Sequence, residues 1–83
     1  MSKREKTIFK WLNNTPTEEK LETVLGIIEY YFESYRQKGS HIIVKDMRLA
    51  EQGLSLNFAI KNGQKVKGFY LQRIAKLIKQ VEE

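Results

Sequence analysis

The residue types able to do chemistry gather in one short run, Tyr35-Arg36-Gln37-Lys38-Gly39-Ser40-His41-Ile42-Ile43, with Lys45 two residues beyond it. His41 is the only histidine of the chain. Histidine has the side chain whose ordinary pKa lies nearest neutrality, so a single imidazole both accepts and donates a proton. Arg36, Lys38 and Lys45 flank it with cations suited to a phosphate. Cleaving RNA requires removal of the 2′-hydroxyl proton and stabilisation of charge on the phosphorane. An imidazole does the first, and Arg or Lys at the phosphate does the second. Gly39 lets the backbone come close to a phosphate, and strand alternation sets His41, Ile43 and Lys45 on one face. A lone histidine beside a turn is more often an ordinary surface or strand residue than a catalyst, so these residues leave cleavage and plain binding both open.

Other chemistries are excluded by composition. Without cysteine there is no disulfide framework, no thiol nucleophile and no Cys-based zinc site. One imidazole rules out a His-rich metal site, and no cofactor is implied. Ser40 adjoins His41, yet no Asp is placed to orient the ring as a serine hydrolase needs. Gly63 and Gly68 bracket Gln64-Lys65-Val66-Lys67 without the spacing of a phosphate-binding P-loop. No apolar run reaches the ~18 residues of a membrane span, and the basic start Met1–Lys6 lacks the apolar stretch of a signal peptide. The expectation is a soluble, cytoplasmic protein without membrane contact.

The elements that must position the run follow from periodicity. At 83 residues the chain is one domain that buries roughly 60% of its unfolded surface, so chemistry is expected on a face rather than in a deep cavity. Ile8, Trp11 and Leu12 make a short amphipathic helix that stops at Asn13-Asn14. Thr15-Pro16-Thr17-Glu18 reads as a helix start with a capping box. Leu21, Val24, Leu25, Ile28 and Phe32 then follow the helical period, with Glu18, Glu22 and Glu29 turned to solvent. This helix is expected to end near Tyr31, with a strand from Phe32 to Lys38 and a turn at Lys38-Gly39-Ser40. His41 to Lys45 is β-branched and reads as a second strand. Asp46 to Gly53 reads as polar loop. Leu54 to Ile60 alternates as a half-buried strand, and Asn62-Gly63 is a hairpin-type turn. Leu71, Ile74, Ala75, Ile78 and Val81 mark a closing helix. The order α-α-β-β-β-α predicts an α+β domain in two layers, a three-stranded antiparallel sheet with helices on one face.

Charge is uneven along the chain. Residues 1–14 carry four Lys/Arg against one Glu, residues 15–35 one Lys against five Glu, and residues 36–83 ten Lys/Arg against four Asp/Glu. The net charge of +5 therefore rests mainly on the C-terminal half. Such a field attracts polyanions by releasing their counterions, which makes nucleic acid the leading partner class. The acidic helix would repel RNA, so the binding surface is expected at the sheet edge and in the basic C-terminal region. Of the aromatics Trp11, Tyr30, Tyr31, Phe32, Tyr35, Phe58, Phe69 and Tyr70, most are expected in the core. Tyr35 and Tyr70 are the best exposed candidates for base stacking.

The run Arg36-Gln37-Lys38-Gly39-Ser40-His41-Ile42 resembles the signature of the HicA family of bacterial mRNA-interferase toxins, in which Gly-Ser-His opens a strand of a sheet similar to the double-stranded-RNA-binding fold. Downstream, Asn62-Gly63-Gln64-Lys65-Val66-Lys67-Gly68 and Leu71 to Ile78 are similar to that family's glycine turn and closing helix. The resemblance spans roughly residues 17–80, leaving 1–16 as an N-terminal helical extension. It implies a single HicA-like domain over residues 1–83 and a metal-independent endoribonuclease that cuts mRNA. His41 would be the general acid/base, Gly39 the turn glycine before it, and Lys38 and Arg36 basic residues facing the RNA. Ser40 in the turn and Lys45 on the same strand face as His41 join Arg36, Lys38 and Gly39 in the expected RNA-binding set. A HicB-type antitoxin partner would cover the active face. Ile42 stands where many members have a second histidine or an aromatic, and Gly68-Phe69-Tyr70-Leu71 is one residue longer than the usual Gly-Thr-Leu. These departures keep a non-catalytic RNA-binding module on the same scaffold as the alternative. A small domain whose basic face meets an acidic protein is a third reading.

Overall fold

A computed structural model describes residues 1–82. The elements run α1 (Lys3–Asn13), β1 (Glu18–Lys20), α2 (Leu21–Tyr31), β2 (Ser34–Lys38), β3 (His41–Lys45), α3 (Met47–Glu51), β4 (Leu56–Ala59), β5 (Lys65–Lys67) and α4 (Gly68–Glu82). Strands β2-β3-β4 form an antiparallel meander, and β1 pairs with β5 in a separate two-stranded ribbon. The slab measures 33 × 33 × 18 Å, its short axis being one sheet and one helical layer. The fold is thus α+β in two layers, with a three-stranded antiparallel sheet as its centre.

Helix α1 starts where Ser2 and Glu5 cap each other. The Ser2 hydroxyl accepts from the Glu5 amide at 3.1 Å, and the Glu5 carboxylate accepts from the Ser2 amide at 2.8 Å. Its apolar stripe packs on α4 and buries Ile8 and Trp11 in the same core as the rest of the chain. The Thr15 hydroxyl donates back to the Trp11 carbonyl, so it closes α1 instead of opening the next helix.

That bond belongs to a correction of the second helix start. The capping signal at Thr15-Pro16-Thr17-Glu18 is not used, and Glu18–Lys20 is a strand paired with Lys65–Lys67, Glu19 opposite Val66. Helix α2 begins only at Leu21, with no side-chain cap. Its first amide donates across space to the Gln64 carbonyl at 2.8 Å. A local cap is worth about 1 kcal/mol. The ribbon satisfies several backbone groups at once and buries Val66 completely, and this outweighs the local preference. Val24, Ile27 and Ile28 then face the core, and the helix ends at Tyr31 as the pattern predicts.

Asp46 to Gly53 is also not all loop. Asp46 caps a short helix, α3, which buries Leu49. In the sheet, Ile42 and Val44 on β3 and Leu56 and Phe58 on β4 join Ile28, Leu71, Ile74 and Ile78 in a single core cluster. Each fully buried Leu, Ile or Phe contributes roughly 1.5–3 kcal/mol. Among the described residues no helix is long and apolar enough to cross a membrane.

Helix α4 begins with Gly68 for a steric reason. The Gly68 amide donates to the Thr17 carbonyl at 2.7 Å. A Cβ built on Gly68 would lie 2.3 Å from the Pro16 carbonyl oxygen, a backbone atom that cannot swing away. Gly68→Ala is therefore expected to push the 16–18 segment off α4 and to destabilise the fold by about 2 kcal/mol. Thermal or urea unfolding checks this, and an unchanged midpoint would contradict it.

Candidate functional site

The β2–β3 hairpin is closed by Gly39 and Ser40. Gly39 has φ 61°, while Ser40 has none of the positive φ values found in the chain. This is the sign pattern of a II′ turn, whose first central position favours glycine. The Gly39 carbonyl accepts from the Gln37 side chain at 3.0 Å, and the Ser40 carbonyl accepts from the Ile60 amide at 2.6 Å. The turn fixes register: Lys38 faces His41, Arg36 faces Ile43 and Ser34 faces Lys45. On the other side of β3, His41 faces Ala59 and Ile43 faces Asn57.

Alternation sorts these residues onto two faces. Ile42, Val44, Leu56 and Phe58 are buried beneath the sheet. The other face carries Ser34, Arg36, Lys38, His41, Lys45 and Asn57, all exposed, with Ile43 and Ala59 half-buried among them. Arg36, Lys38, His41 and Lys45 are thus brought together on the uncovered face, and Gly39 and Ser40 form the turn at its end. Among the described residues this face of β2-β3-β4 bears no carboxylate.

Spacing divides the cations by role. Directly opposed Cβ atoms in an antiparallel pair lie ~5 Å apart, so Lys38 is the cation nearest His41. Strand rise is ~3.4 Å per residue, which puts Lys45 about 14 Å along β3 from His41. Arg36 stands between them, diagonal to His41. Lys38 can share a phosphate with the imidazole, whereas Arg36 and Lys45 form a row suited to adjoining phosphates of an extended strand. None of the three makes an ion pair among the described residues.

The far end of the sheet is held by Asp46, a residue the sequence pattern assigns to a loop. Its carboxylate is wholly buried and accepts four hydrogen bonds. They come from the Glu33 amide at 3.0 Å, the Arg48 amide at 2.9 Å, Arg48 Nε at 2.9 Å and Arg48 Nη2 at 2.8 Å. Arg48 also donates to the Tyr31 carbonyl at 2.6 Å, and Glu33 accepts from the Met47 amide at 2.8 Å. One side chain thereby ties the end of α2 and the start of β2 to the end of β3. Arg48, the remaining cation near that end, is exposed but engaged by the Asp46 carboxylate and the Tyr31 carbonyl. An Asp followed by the helix formers Met47-Arg48-Leu49-Ala50 is an N-cap signal that local pattern could have revealed.

The aromatics distribute differently from expectation. Tyr35 lies half-buried on the covered face of β2, and Tyr70 is half-buried against Phe58 with ring centroids 6.2 Å apart. The freely exposed rings are Tyr30 and Phe69, at 61% and 63%, together with Phe9 at 57%. Arg4 sits 3.7 Å over the Tyr30 ring, which occupies that face of it.

Comparison with protein-family models, with curated proteins and with solved structures returns no match.

Hydrogen bonds from the Arg48 side chain hold the Asp46 carboxyl below the usual carboxylate range, against burial, which acts in the opposite direction. A carboxylate with a lowered native pKa adds stability that is complete above the unfolded value, about 4, and is lost as pH falls through the native value. Asp46→Asn is expected to cost about 2 kcal/mol at neutral pH and to reduce the loss of stability on acidification. Urea unfolding at neutral pH and near pH 3 measures both. Equal stability of the two proteins at neutral pH would refute the role.

Proposed function

We propose that this chain is an RNA endonuclease that works on the uncovered face of its three-stranded sheet, with His41 as the proton-transfer group. The observation that supports this reading is the placement of one exposed imidazole directly across from Lys38, in a row of cations free of carboxylates. His41 takes the proton of an RNA 2′-hydroxyl, and that oxygen attacks the adjacent phosphorus as the bond to the 5′-oxygen breaks. Lys38 balances charge on the phosphorane oxygens, and the departing 5′-oxygen takes its proton from water at this open surface. The products are a 2′,3′-cyclic phosphate and a 5′-hydroxyl end. The backbone at Gly39 and Ser40 borders the same phosphate, and Arg36 and Lys45 carry its neighbours.

The similarity of Arg36 to Ile42 to the HicA signature favours mRNA as substrate and the role of a toxin in a type II toxin–antitoxin pair. The natural inhibitor would be a HicB-type protein covering the basic face. A second reading, RNA binding without cleavage, draws on one observation. Among the described residues the face has no second imidazole and no carboxylate to protonate the leaving group.

Labelled mRNA incubated with the protein in EDTA separates the two. Cleavage to cyclic-phosphate ends is expected, with His41→Ala lowering the rate by ~100-fold or more and leaving the melting temperature unchanged. Lys38→Ala is expected to lower it by about tenfold or more. RNA that is retained but left intact by wild type and His41→Ala alike would establish the binding module instead.

A further inference from the structure

The exposed Phe69 has no packing role that accounts for its position at the start of α4. Its ring lies 4.2 Å from that of Tyr70, tilted by 36°, and Tyr70 is braced in turn on buried Phe58. The pair walls a shallow groove of 310 Å³ whose other borders include Ala59, Asn62 and Lys67. Ala59 is the register partner of His41 on β4, so one border of the groove lies one strand away from the imidazole, while the contact with Phe58 ties the rings to the covered side of the sheet. Lys61 also reaches it but is held by Glu18 at 3.0 Å. Lys67 makes no ion pair among the described residues and is the cation this groove offers.

We propose that Phe69, supported by Tyr70, is a stacking platform for one unpaired base of a single-stranded RNA, with Lys67 holding the adjoining phosphate. The proposal rests on the RNA reading above and adds the substrate's form. Three features argue for it. A rigid ring backed by a second aromatic presents a π-face at little entropic cost, the arrangement by which single-strand binders hold bases without regard to sequence. Lys67 adds a cation without an ion pair among the described residues beside the rings, and the net charge of +5 fits a polyanion and repels a basic partner. The groove admits one splayed ring system, whereas duplex RNA keeps its bases stacked and offers only their edges. A single strand is therefore the form that engages the platform.

The test uses a fluorescent 2′-O-methyl oligonucleotide of about eight residues, which binds like RNA but has no 2′-hydroxyl to be attacked. Anisotropy titrations compare wild type with Phe69→Ala, Phe69→Trp and Lys67→Ala. Phe69→Ala is expected to weaken binding about tenfold while keeping the salt dependence, and Phe69→Trp to keep or improve affinity. Lys67→Ala is expected to flatten the salt dependence. An oligonucleotide with abasic residues throughout should bind wild type and Phe69→Ala equally. Wild-type affinity in Phe69→Ala, or equal competition by duplex RNA, would overturn the platform and leave the RNA reading standing. No binding of any RNA by wild type at low salt would overturn both. Because Phe69 is exposed, its replacement by Ala should leave the thermal melt unchanged, which separates lost stacking from lost fold.

Discussion

Burial of Ile42, Val44, Leu56 and Phe58 beneath the sheet is the constraint on which the rest of the molecule depends. Side chains of a strand alternate between faces, so a slip of one residue would carry every apolar side chain into water and bring His41 and Lys45 into the core. Losing four buried side chains at roughly 1.5–3 kcal/mol each would be comparable to the whole net stability of a domain this small. The register that protects the core is thus the same register that presents Lys38 opposite His41. Core and candidate site are two faces of one decision.

Two long-range ties keep that sheet in place against the helices. At one end Asp46 gathers the Glu33 and Arg48 amides and the Arg48 guanidinium around a buried carboxylate. At the other, Gly68 passes so close to the Pro16 carbonyl that only a residue without Cβ fits. That contact also aims α4, whose first turn carries Phe69 and Tyr70 beside Ala59. A glycine needed for packing therefore determines where an exposed aromatic pair stands relative to the imidazole.

Among the described residues the same layering keeps carboxylates off the open side of the sheet. Glu22 and Glu29 are exposed on α2 in the helical layer, among the exposed cations of α1 and α4, while Arg36, Lys38 and Lys45 occupy the open side. At physiological salt the Debye length is about 8 Å, less than half of the 18 Å short axis, so the α2 carboxylates scarcely weaken that row. Under the proposed function, an extended single strand lying across β2-β3-β4 meets these cations in turn.

Much of this was legible before any coordinates. Alternation in Leu54 to Ile60, the β-branched run after His41, the glycine turn and the stripe from Leu71 to Val81 each express a local period, and each element formed where its period lies. The grouping of His41 with Lys45 followed from alternation, and that of Lys38 with His41 from a two-residue turn, both properties of neighbouring residues. What the chain order could not convey was pairing between distant segments. The cap at Thr15 to Glu18 is locally sound, yet it yields to a ribbon with residues almost fifty positions away, because shared backbone bonds and a buried Val66 outweigh one cap. Asp46 reads as a loop residue until Glu33 and Arg48 close over it, and Phe69 reads as core until α4 is aimed by Gly68. Amino-acid types and their local spacing determined α1, α2, α4 and the strands β2, β3 and β4, and which of their side chains share a face. Tertiary structure alone decided how those elements end, what they lean on and which aromatic reaches solvent, since these depend on contacts whose energy exists only when both partners are present.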